Sequence, residues 1–566
     1  MMKILGRLAL ILIVSCHAKA KDSKQPHIVF MIVDDLGFSD VSFHGSKQIP
    51  TPNIDAIARD GIILNKYYVQ STCSPSRGSL MTGKYPLRIG FQDDVITVAS
   101  PWGLPLKEKI LPQYLKSLNY ATHAVGKWHL GFFKEEYLPL KRGFDSFFGY
   151  YSGVEDYFTH LAREVRNFIH RLSQLSLSPL KQMSNLYLCF VRSCKTELNP
   201  LSTKYVDGNE MRSGSPLFLY FGQQAPHSGN FDNALQVPDK YVKPLVGIKD
   251  ERRRKFAGMV QAMDQSVGEI FEALEKTSML DNTIFIFTTD NGGAVDGTDG
   301  CLGSNYPLRG SKYNLWEGGV RGVAFVWSPV LRHRSRISNE LMHISDWLPT
   351  LLSAAGGPEA AKVLKNVDGV DQWPSLVHKV PSPRKEVLLN LDSESRVVGI
   401  RRKNYKLVKG SYYDGVFDGW YDKDGKSIKG SPPRTPVGIH TTYKRTYLKF
   451  LKRSKAARIL WRKYAKDPRL AISCNVPGCL TFPRAICEGV PPSEDKRCNA
   501  NKEPCLFDIE ADPCEYYNLA EQYPEMVKEL EAAINKYKAV EIKPVQEPID
   551  PASNPQLHGN AWVPWK

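Results

Sequence analysis

The chain has 566 residues, which is enough for two or three domains and a large buried core. Hydrophobic residues make up 42% and charged residues 24% of the chain, so its composition excludes a disordered, collagenous or coiled-coil protein. The 75 Lys and Arg residues outnumber the 59 Asp and Glu residues, and the resulting net charge of +16 predicts an affinity for polyanions without identifying them.

The first 20 residues have the organisation of a signal peptide. A positively charged start is followed by an apolar run over residues 8–16 and by the small-residue motif Ala18-Lys19-Ala20. We therefore expect residues 1–20 to be removed and the mature chain to begin near Lys21. Because no later segment has about 18 uninterrupted apolar residues, we expect no transmembrane span and a secreted or lumenal protein.

Four apolar runs of β-forming residues predict strands that are buried on both faces of a parallel sheet. These runs are residues 27–35, 121–125, 217–221 and 283–288. Segments with helical periodicity lie between them, for example residues 111–118 and 256–274. The alternation predicts an α/β domain over residues 21–385, with a large, mostly parallel sheet flanked by helices.

The pattern changes in the C-terminal third of the chain. Residues 386–543 are predicted to form a smaller α+β domain, because alternating segments at 397–400 and 405–408 indicate a small antiparallel sheet. A basic stretch, a cysteine cluster and a helix near residues 526–537 follow. We expect the Pro-rich tail, residues 544–566, to lie on the surface without regular structure.

Cysteines are concentrated near the C-terminus. Six of the 11 lie in one stretch, namely Cys474, Cys479, Cys487, Cys498, Cys505 and Cys514. In an oxidising compartment this spacing predicts a local disulfide framework whose pairing is open, and a zinc knot is the less favoured alternative. Cys189 and Cys194 are predicted to form a further short-range bridge, which leaves Cys73 and Cys301 without an obvious partner.

Polar side chains follow each of the four predicted strands. In chain order they are Asp34 and Asp35, then Lys127 and His129, then His227, and finally Asp290 and Asn291. Because ligands of open α/β sheets bind beyond the carboxyl ends of the strands, we expect these residues to converge on one site. The set of Asp34, Asp35, Asp290 and Asn291 offers only oxygen donors, which favours Ca²⁺ first and Mg²⁺ second. The alternative is that the two pairs are an ordinary loop cap and a turn.

Three motifs resemble those of the type I sulfatase family, and most closely those of the arylsulfatase B group. They are Cys73-Ser74-Pro75-Ser76-Arg77, Gly126-Lys127-Trp128-His129-Leu130-Gly131 and the segment from Pro307 to Lys312. The resemblance is close over about residues 27–390 and weak over 155–213 and 410–500. It implies an alkaline-phosphatase-like sulfatase fold, an arylsulfatase type of sulfuric ester hydrolase activity, and sulfated small molecules or sulfated polysaccharides as substrates.

The resemblance also implies a modified nucleophile. Cys73 would be oxidised to formylglycine by the formylglycine-generating enzyme during maturation, and the hydrated aldehyde would attack the sulfate ester. Arg77 would steady this nucleophile. The modified Cys73 would join Asp34, Asp35, Asp290 and Asn291 as ligands of one Ca²⁺.

Four further residues receive roles from the resemblance. Lys127 would bind the sulfate and the formylglycine oxygen, and Lys312 would bind the sulfate or the bridging oxygen. His129 would help to deprotonate the diol, and His227 would protonate the leaving alcohol. Residues 228–234 interrupt the family pattern directly after His227, so we expect a reshaped pocket mouth and a specificity that differs from arylsulfatase B.

Residues 444–469 carry 11 Lys and Arg residues against one acid, Asp467. Interleaved apolar residues suggest one or two helices with a basic face. We interpret this stretch as a docking surface for a sulfated polysaccharide, and the alternative is a merely solvated face.

The chain contains no Asn-x-Ser/Thr sequon, so a lysosomal address carried on an N-glycan is excluded and we favour secretion or lumenal retention over the lysosome. The same secretory address disfavours nucleic acid as a partner.

Two other functions stay open at this point. One is a phosphoester hydrolase on the same scaffold, with a Ser or Thr nucleophile and two metals. The other is a catalytically silent secreted protein that binds sulfated polysaccharides.

Overall fold

The computed structural model describes residues 25–164, 168–171, 215–428, 451–464, 485–487, 492–493 and 496–566. The predicted signal peptide and the cysteines at 189, 194, 474 and 479 lie outside these residues. Within the described part of the chain, no helix combines the length and the apolar character needed to cross a membrane.

The strands lie in two larger sheets and one hairpin. They are β1 (His27–Val33), β2 (Ile62–Tyr68), β3 (Ala121–Lys127), β4 (Ser146–Tyr150), β5 (Leu161–Glu164), β6 (Phe168–Arg171), β7 (Leu217–Gln223), β8 (Thr283–Thr289), β9 (Ala324–Trp327), β10 (Arg336–His343), β11 (Glu386–Asp392), β12 (Val397–Arg402), β13 (Tyr405–Lys409) and β14 (Cys505–Asp508).

The helices of the described residues are mostly short. They are α1 (Pro52–Asp60), α2 (Cys73–Thr82), α3 (Leu111–Lys116), α4 (Asp239–Val242), α5 (Glu251–Lys276), α6 (Glu317–Val320), α7 (Trp347–Gly356), α8 (Pro358–Ala361), α9 (Trp373–His378), α10 (Lys455–Tyr464) and α11 (Pro524–Lys538).

Eight strands form one sheet in the order β10-β2-β9-β8-β1-β7-β3-β4. Only β9 runs against the others, because its pairs with β2 and β8 are antiparallel and every other neighbouring pair is parallel. The predicted large, mostly parallel sheet is confirmed. The four strands predicted from apolar runs are β1, β3, β7 and β8, and they are direct neighbours in its centre.

The central strand β1 has apolar side chains on both faces, which explains its unbroken apolar sequence. Val29, Met31 and Val33 belong to one core, and Ile28, Phe30 and Ile32 belong to another on the opposite face. Helix α5 packs into the first core and α7 into the second. The sheet is therefore flanked by helices on both sides, as the sequence predicts.

Helix α5 begins earlier than its apolar periodicity indicates. The prediction starts at residue 256, whereas the helix starts at Glu251. The Asp250 side chain accepts a hydrogen bond from Arg253 N at 2.9 Å and caps the helix. The first turn carries charged residues, so periodicity alone does not reveal it.

The second larger sheet is antiparallel, with the order β11-β12-β13-β14. The predicted alternating segments are β12 and β13, and α11 is the predicted C-terminal helix. Disulfides join Cys487 to Cys514 and Cys498 to Cys505, so these four cysteines form part of the predicted framework.

The two sheets share apolar cores. Tyr68 and Trp316 pack with Val387 and Phe507, and Tyr85 packs in the core that contains the other face of the antiparallel sheet. The Pro-rich tail forms main-chain hydrogen bonds with Gly90, Ala99 and Phe133 and contains only two short 3₁₀ turns.

Helix α10 covers part of the basic stretch. Its apolar side packs against α1 and α5 in the first core. On its basic side, Lys455, Arg462 and Lys463 form ion pairs of 3.0, 2.8 and 2.7 Å with acids on or just after α5. Part of the basic charge is therefore neutralised within the chain.

Candidate active site

The site lies beyond the carboxyl ends of β8, β1, β7 and β3. Because these strands are neighbours, the polar residues that follow them meet in one place. The chain turns sharply there. Asp35 and His129 both adopt a left-handed backbone conformation, with φ of 58° and 56°, which is uncommon outside glycine and is concentrated at functional sites.

A cluster of buried acids forms the floor of the site. The ligand atoms of Asp34, Asp35, Asp290 and Cys73 all lie within 4.8 Å of one another. Burial and the neighbouring charge of Asp34 raise the pKa of Asp290 to about 7. Burial alone would also raise the pKa of Asp34, but Lys127 and other cations hold it well below its usual range. The neighbouring cations therefore do not fully compensate the negative charge of these carboxylates.

Asn291 completes this donor set. Its Nδ2 donates to Asp35 Oδ1 at 2.7 Å, while its Oδ1 is buried without a hydrogen-bond partner among the described residues. A buried, unpaired amide oxygen beside carboxylates suits a hard divalent cation.

Cys73 is the first residue of α2, and its thiol donates to Asp34 Oδ1 at 3.4 Å. Burial, together with the charge of Asp34, raises the pKa of the Cys73 thiol well above its usual value. Because the thiolate is the reactive form of cysteine, the unmodified side chain is a poor nucleophile here.

The serines that follow Cys73 fix its surroundings. Ser74 Oγ donates to His129 O at 3.0 Å and accepts from Ile96 N at 3.2 Å. Ser76 Oγ accepts from Gln70 N and donates to the main-chain oxygen of Asp290. The motif therefore connects the N-terminus of α2 to the ends of three strands, β2, β3 and β8.

Arg77 is fully buried and makes a forked contact with Asp290. Its Nε and Nη2 lie 3.1 and 2.8 Å from Asp290 Oδ2, and its Nη1 donates to the Tyr220 hydroxyl at 3.1 Å. A Cβ at Gly222 would lie 2.5 Å from Lys127 O and 3.3 Å from Arg77 Nη1. A glycine is therefore required where β7 passes the buried guanidinium.

Two buried lysines form ion pairs with these acids. Lys127 Nζ lies 2.6 Å from Asp34 Oδ2. Lys312 Nζ lies 3.1 Å from Asp35 Oδ2 and 2.8 Å from Asp299 Oδ2. Burial opposes the charge of Lys312, but Asp299 and Asp35 raise its pKa well above the usual value, so it stays protonated.

The two histidines present one ring nitrogen each to the site. His129 Nε2 lies 2.8 Å from Ile96 O and must donate to it. Its Nδ1 has no hydrogen-bond partner among the described residues and carries no proton in the neutral ring. Burial, and then Lys127, lower the pKa of His129 well below its usual value. His227 Nδ1 lies 2.9 Å from Ser228 O, and its Nε2 lies 3.5 Å from Lys312 Nζ.

The structure brings all the predicted site residues together, and it adds several that sequence reasoning missed. Tyr220 contacts Arg77 from within β7, where its hydroxyl is hidden in an apolar run. Asp299 contacts Lys312 from a loop whose only signal was its closeness in sequence to Asp290 and Asn291.

The sequence matches the Sulfatase family over residues 26–357. It is 34% identical over 547 residues to arylsulfatase J of Mus musculus, which covers 96% of this chain and 81% of that protein. It is 30% identical over 386 residues to N-acetylgalactosamine-6-sulfatase of Canis lupus familiaris, which covers 66% of this chain and 70% of that protein.

The fold agrees with these similarities. The crystal structure of Ps i-CgsB matches with a TM-score of 0.66 at 24% identity, covering 92% of this chain and 94% of that one. The predicted alkaline-phosphatase-like sulfatase fold is confirmed. The match to the family covers more than half of the chain. The chain therefore belongs to the sulfatase family and is a sulfuric ester hydrolase.

Proposed function

We propose that this sulfatase hydrolyses sulfate monoesters of the aryl or sugar type through a formylglycine formed from Cys73. The observation that carries the proposal is the position of Cys73 at the start of α2, in a closed cage of acids and cations. Its thiol is protonated there, so the unmodified side chain would not act as a thiolate nucleophile. The cations Lys127, Lys312 and Arg77 would have a function next to an aldehyde at this position, because they could neutralise the sulfate that its hydrate attacks.

A divalent cation fits the cage, with Ca²⁺ as the first choice and Mg²⁺ as the second. Asp34, Asp35, Asp290 and Asn291 would hold it together with the oxidised side chain at position 73. The unpartnered Asn291 Oδ1 and the crowded carboxylates support this assignment. When bound, such an ion supplies positive charge next to the sulfate and the nucleophile.

A hydrated aldehyde suits this reaction because it carries two hydroxyl groups. One can attack sulfur as the alcohol leaves, and loss of the proton from the other then releases sulfate and restores the aldehyde. A serine would instead need a second attack by water on sulfur.

The chain's own residues handle charge and protons. Lys127 and Lys312 neutralise the sulfate oxygens, a prerequisite for attack on an anionic ester. His129 is held neutral with Nδ1 as a base, so it can accept the proton of the diol. His227 Nδ1 donates to Ser228 O, so its Nε2 can protonate the leaving alcohol when the ring carries both protons.

The position of Lys312 argues against the two-metal phosphoester hydrolase. Asp35, His227 and Asp299 form a second group that could hold a metal. Lys312 Nζ lies within 3.5 Å of all three side chains and already supplies their positive partner.

Mass spectrometry of the tryptic peptide 67–77 from secreted protein tests the proposal. We expect Cys73 as formylglycine, lighter than cysteine and inert to iodoacetamide. Cys301, also buried and free, is the internal control, since it must be alkylated after denaturation. If Cys73 is fully alkylated in cells competent for the modification, the catalytic proposal fails and the silent polyanion-binding alternative replaces it.

A further inference from the structure

The outer part of the site carries acids. Asp299 Oδ2 accepts hydrogen bonds from Lys312 Nζ and from the Tyr313 hydroxyl, both at 2.8 Å. The Lys312 side chain is 3% exposed, whereas that of Asp299 is 23% exposed. Asp299 is therefore the partly exposed group next to a lysine that we place on the sulfate.

The loop of Asp299 is joined to the insertion that the sequence revealed after His227. Ser228 Oγ donates to Asp299 O, and a Cβ on Gly300 would lie 2.6 Å from the Ala234 side chain. The loop and the insertion thus form one wall beside the site.

Further acids lie near this wall. Asp94 precedes Ile96, whose carbonyl accepts from His129. Burial and the charge of Asp299 raise the pKa of Asp94, while Lys312 lowers it. Burial and then Asp392, Asp94 and Glu394 raise the pKa of Asp93.

The antiparallel sheet delivers Asp392 to this region. The Tyr412 hydroxyl lies 3.0 Å from Gln92 O and 3.2 Å from Asp392 Oδ2. Asn390 Nδ2 donates to Gln92 O at 2.7 Å. These contacts fix Asp392 close to the segment that contains Asp93 and Asp94.

Three aromatic rings lie beside the acids. Tyr313, Tyr413 and Phe417 pack pairwise, with ring centroids 5.5, 5.7 and 5.9 Å apart. Tyr413 is 55% exposed and has a φ of 51°, a costly conformation for a bulky residue. The fold keeps this ring partly in solvent next to the site.

These acids and rings form the rim of the site, namely Asp93, Asp94, Asp299, Asp392, Tyr313, Tyr413 and Phe417. We propose that the rim selects sulfate esters whose alcohol part carries no second negative charge. Asp299 is the specificity-determining residue: it accepts a hydrogen bond from a hydroxyl of the alcohol part and repels a further anion there. The Tyr413 ring packs against the ring of the alcohol part. The inference rests on the proposed function, because it concerns the part of the same ester that leaves.

The test uses two aryl sulfates that differ by one remote charge, methyl 4-(sulfooxy)benzoate and 4-(sulfooxy)benzoate. Their dissociation constants are measured by calorimetry on the full-length Cys73→Ala variant with Ca²⁺, which cannot form the aldehyde. We expect the singly charged ester to bind about tenfold more tightly, and this ratio to shrink at high salt.

Variants locate the cause of the discrimination. Asp299→Asn should reduce the ratio several-fold, and Asp94→Asn should reduce it less. Glu359→Gln removes an exposed acid on α8, away from the rim, and should leave the ratio unchanged. Tyr413→Ala should weaken the binding of both esters equally. Tyr413→Phe keeps the ring and should leave the binding of both unchanged.

Equal binding of the two esters, or a ratio that neither Asp299→Asn nor Asp94→Asn changes, overturns the inference. Turnover of the methyl ester by the unmutated protein is measured separately. If the binding ratio is as expected but no turnover occurs, the proposed function fails while the rim selectivity stands.

Discussion

Lys127 Nζ donates a hydrogen bond to Asp34 Oδ2 over 2.6 Å, and neither side chain has any exposed surface. Removing one partner of such a pair leaves a buried charge unpaired. Lys127→Met should lower kcat/KM for 4-methylumbelliferyl sulfate by about 10²–10³-fold, because a cation on the sulfate is lost.

The same variant should also lose about 3–5 kcal/mol of stability without calcium, and less with calcium, since the ion would neutralise Asp34. Lys134→Met, the same change at an exposed position, is the control and should alter neither property. Wild-type activity in Lys127→Met would contradict the assigned role.

Removal of divalent cations should lower the melting temperature. Without an ion, Asp34, Asp35 and Asp290 repel one another in a dry cluster, and bound ion at about 100 times its Kd adds about 2.7 kcal/mol. Scanning fluorimetry with EDTA, followed by titration with Ca²⁺ or Mg²⁺, measures this shift. Ca²⁺ should restore stability at the lower concentration, and Asn291→Ala should reduce its effect. Identical melting with EDTA and with Ca²⁺ would argue against a metal site.

Asp264 on α5 caps the N-terminus of α1. Its Oδ1 accepts from Asn53 N and Ile54 N, both at 2.9 Å, and its Oδ2 accepts from Asn53 Nδ2. Asp264→Ala should cost about 2–3 kcal/mol of unfolding free energy, because buried N–H groups lose their acceptor. Asp264→Asn keeps one acceptor oxygen and should cost less in urea denaturation. Equal losses in the two variants would assign the effect to charge instead.

Glu515 makes stability depend on pH. It shares Lys406 with Glu317, and burial raises the pKa of Glu515 to about 7. The native state therefore keeps a proton that the unfolded chain releases near pH 4.5. The contribution of this group to the free energy of unfolding is fully present below that pH. It falls by about 1.4 kcal/mol per pH unit as the pH rises to 7.

Glu515→Gln cannot ionise and should flatten this part of the profile. The difference in melting temperature between variant and wild type, measured from pH 4.5 to 8, should move in favour of the variant as pH rises. A constant difference would exclude Glu515 as the titrating group.

Helix α10 allows the heparin hypothesis to be tested with matched sets. Lys452, Arg453 and Arg458 are exposed and form no ion pair with the other described residues, whereas Lys455, Arg462 and Lys463 do. Replacing the first set by Gln should lower the salt needed to elute the protein from heparin. Replacing the second set should lower it less, because those charges are already compensated. Equal effects would refute a specific surface.

The central strands and most of the site could be predicted from sequence because both depend on local patterns. Strands β1, β7 and β8 are mainly apolar runs that lead into polar residues, as in Val33 to Asp34, and β3 ends in the same way although Thr122 and His123 interrupt it. Parallel neighbours place such ends together without any knowledge of loops. The oxygen donors could therefore be grouped before any distance was known.

The rim could not be predicted in this way. Asp299 and Tyr413 lie on irregular loops, and Asp392 reaches the site from another sheet through Tyr412. No periodicity connects residues that far apart in the chain. Likewise, the ion pairs between α10 and α5 depend on which face of the basic helix packs inward, so its neutralised charges were not foreseen.

The Glu317–Lys406–Glu515 network crosses the boundary that the sequence suggests at residue 385. Trp316 and Phe507 pack together beside it, and both cores of the antiparallel sheet include residues of the larger domain. Heat should therefore not release the antiparallel sheet first and leave the larger sheet intact. Calorimetry should record one cooperative transition, and proteases should find no stable half-molecule to isolate.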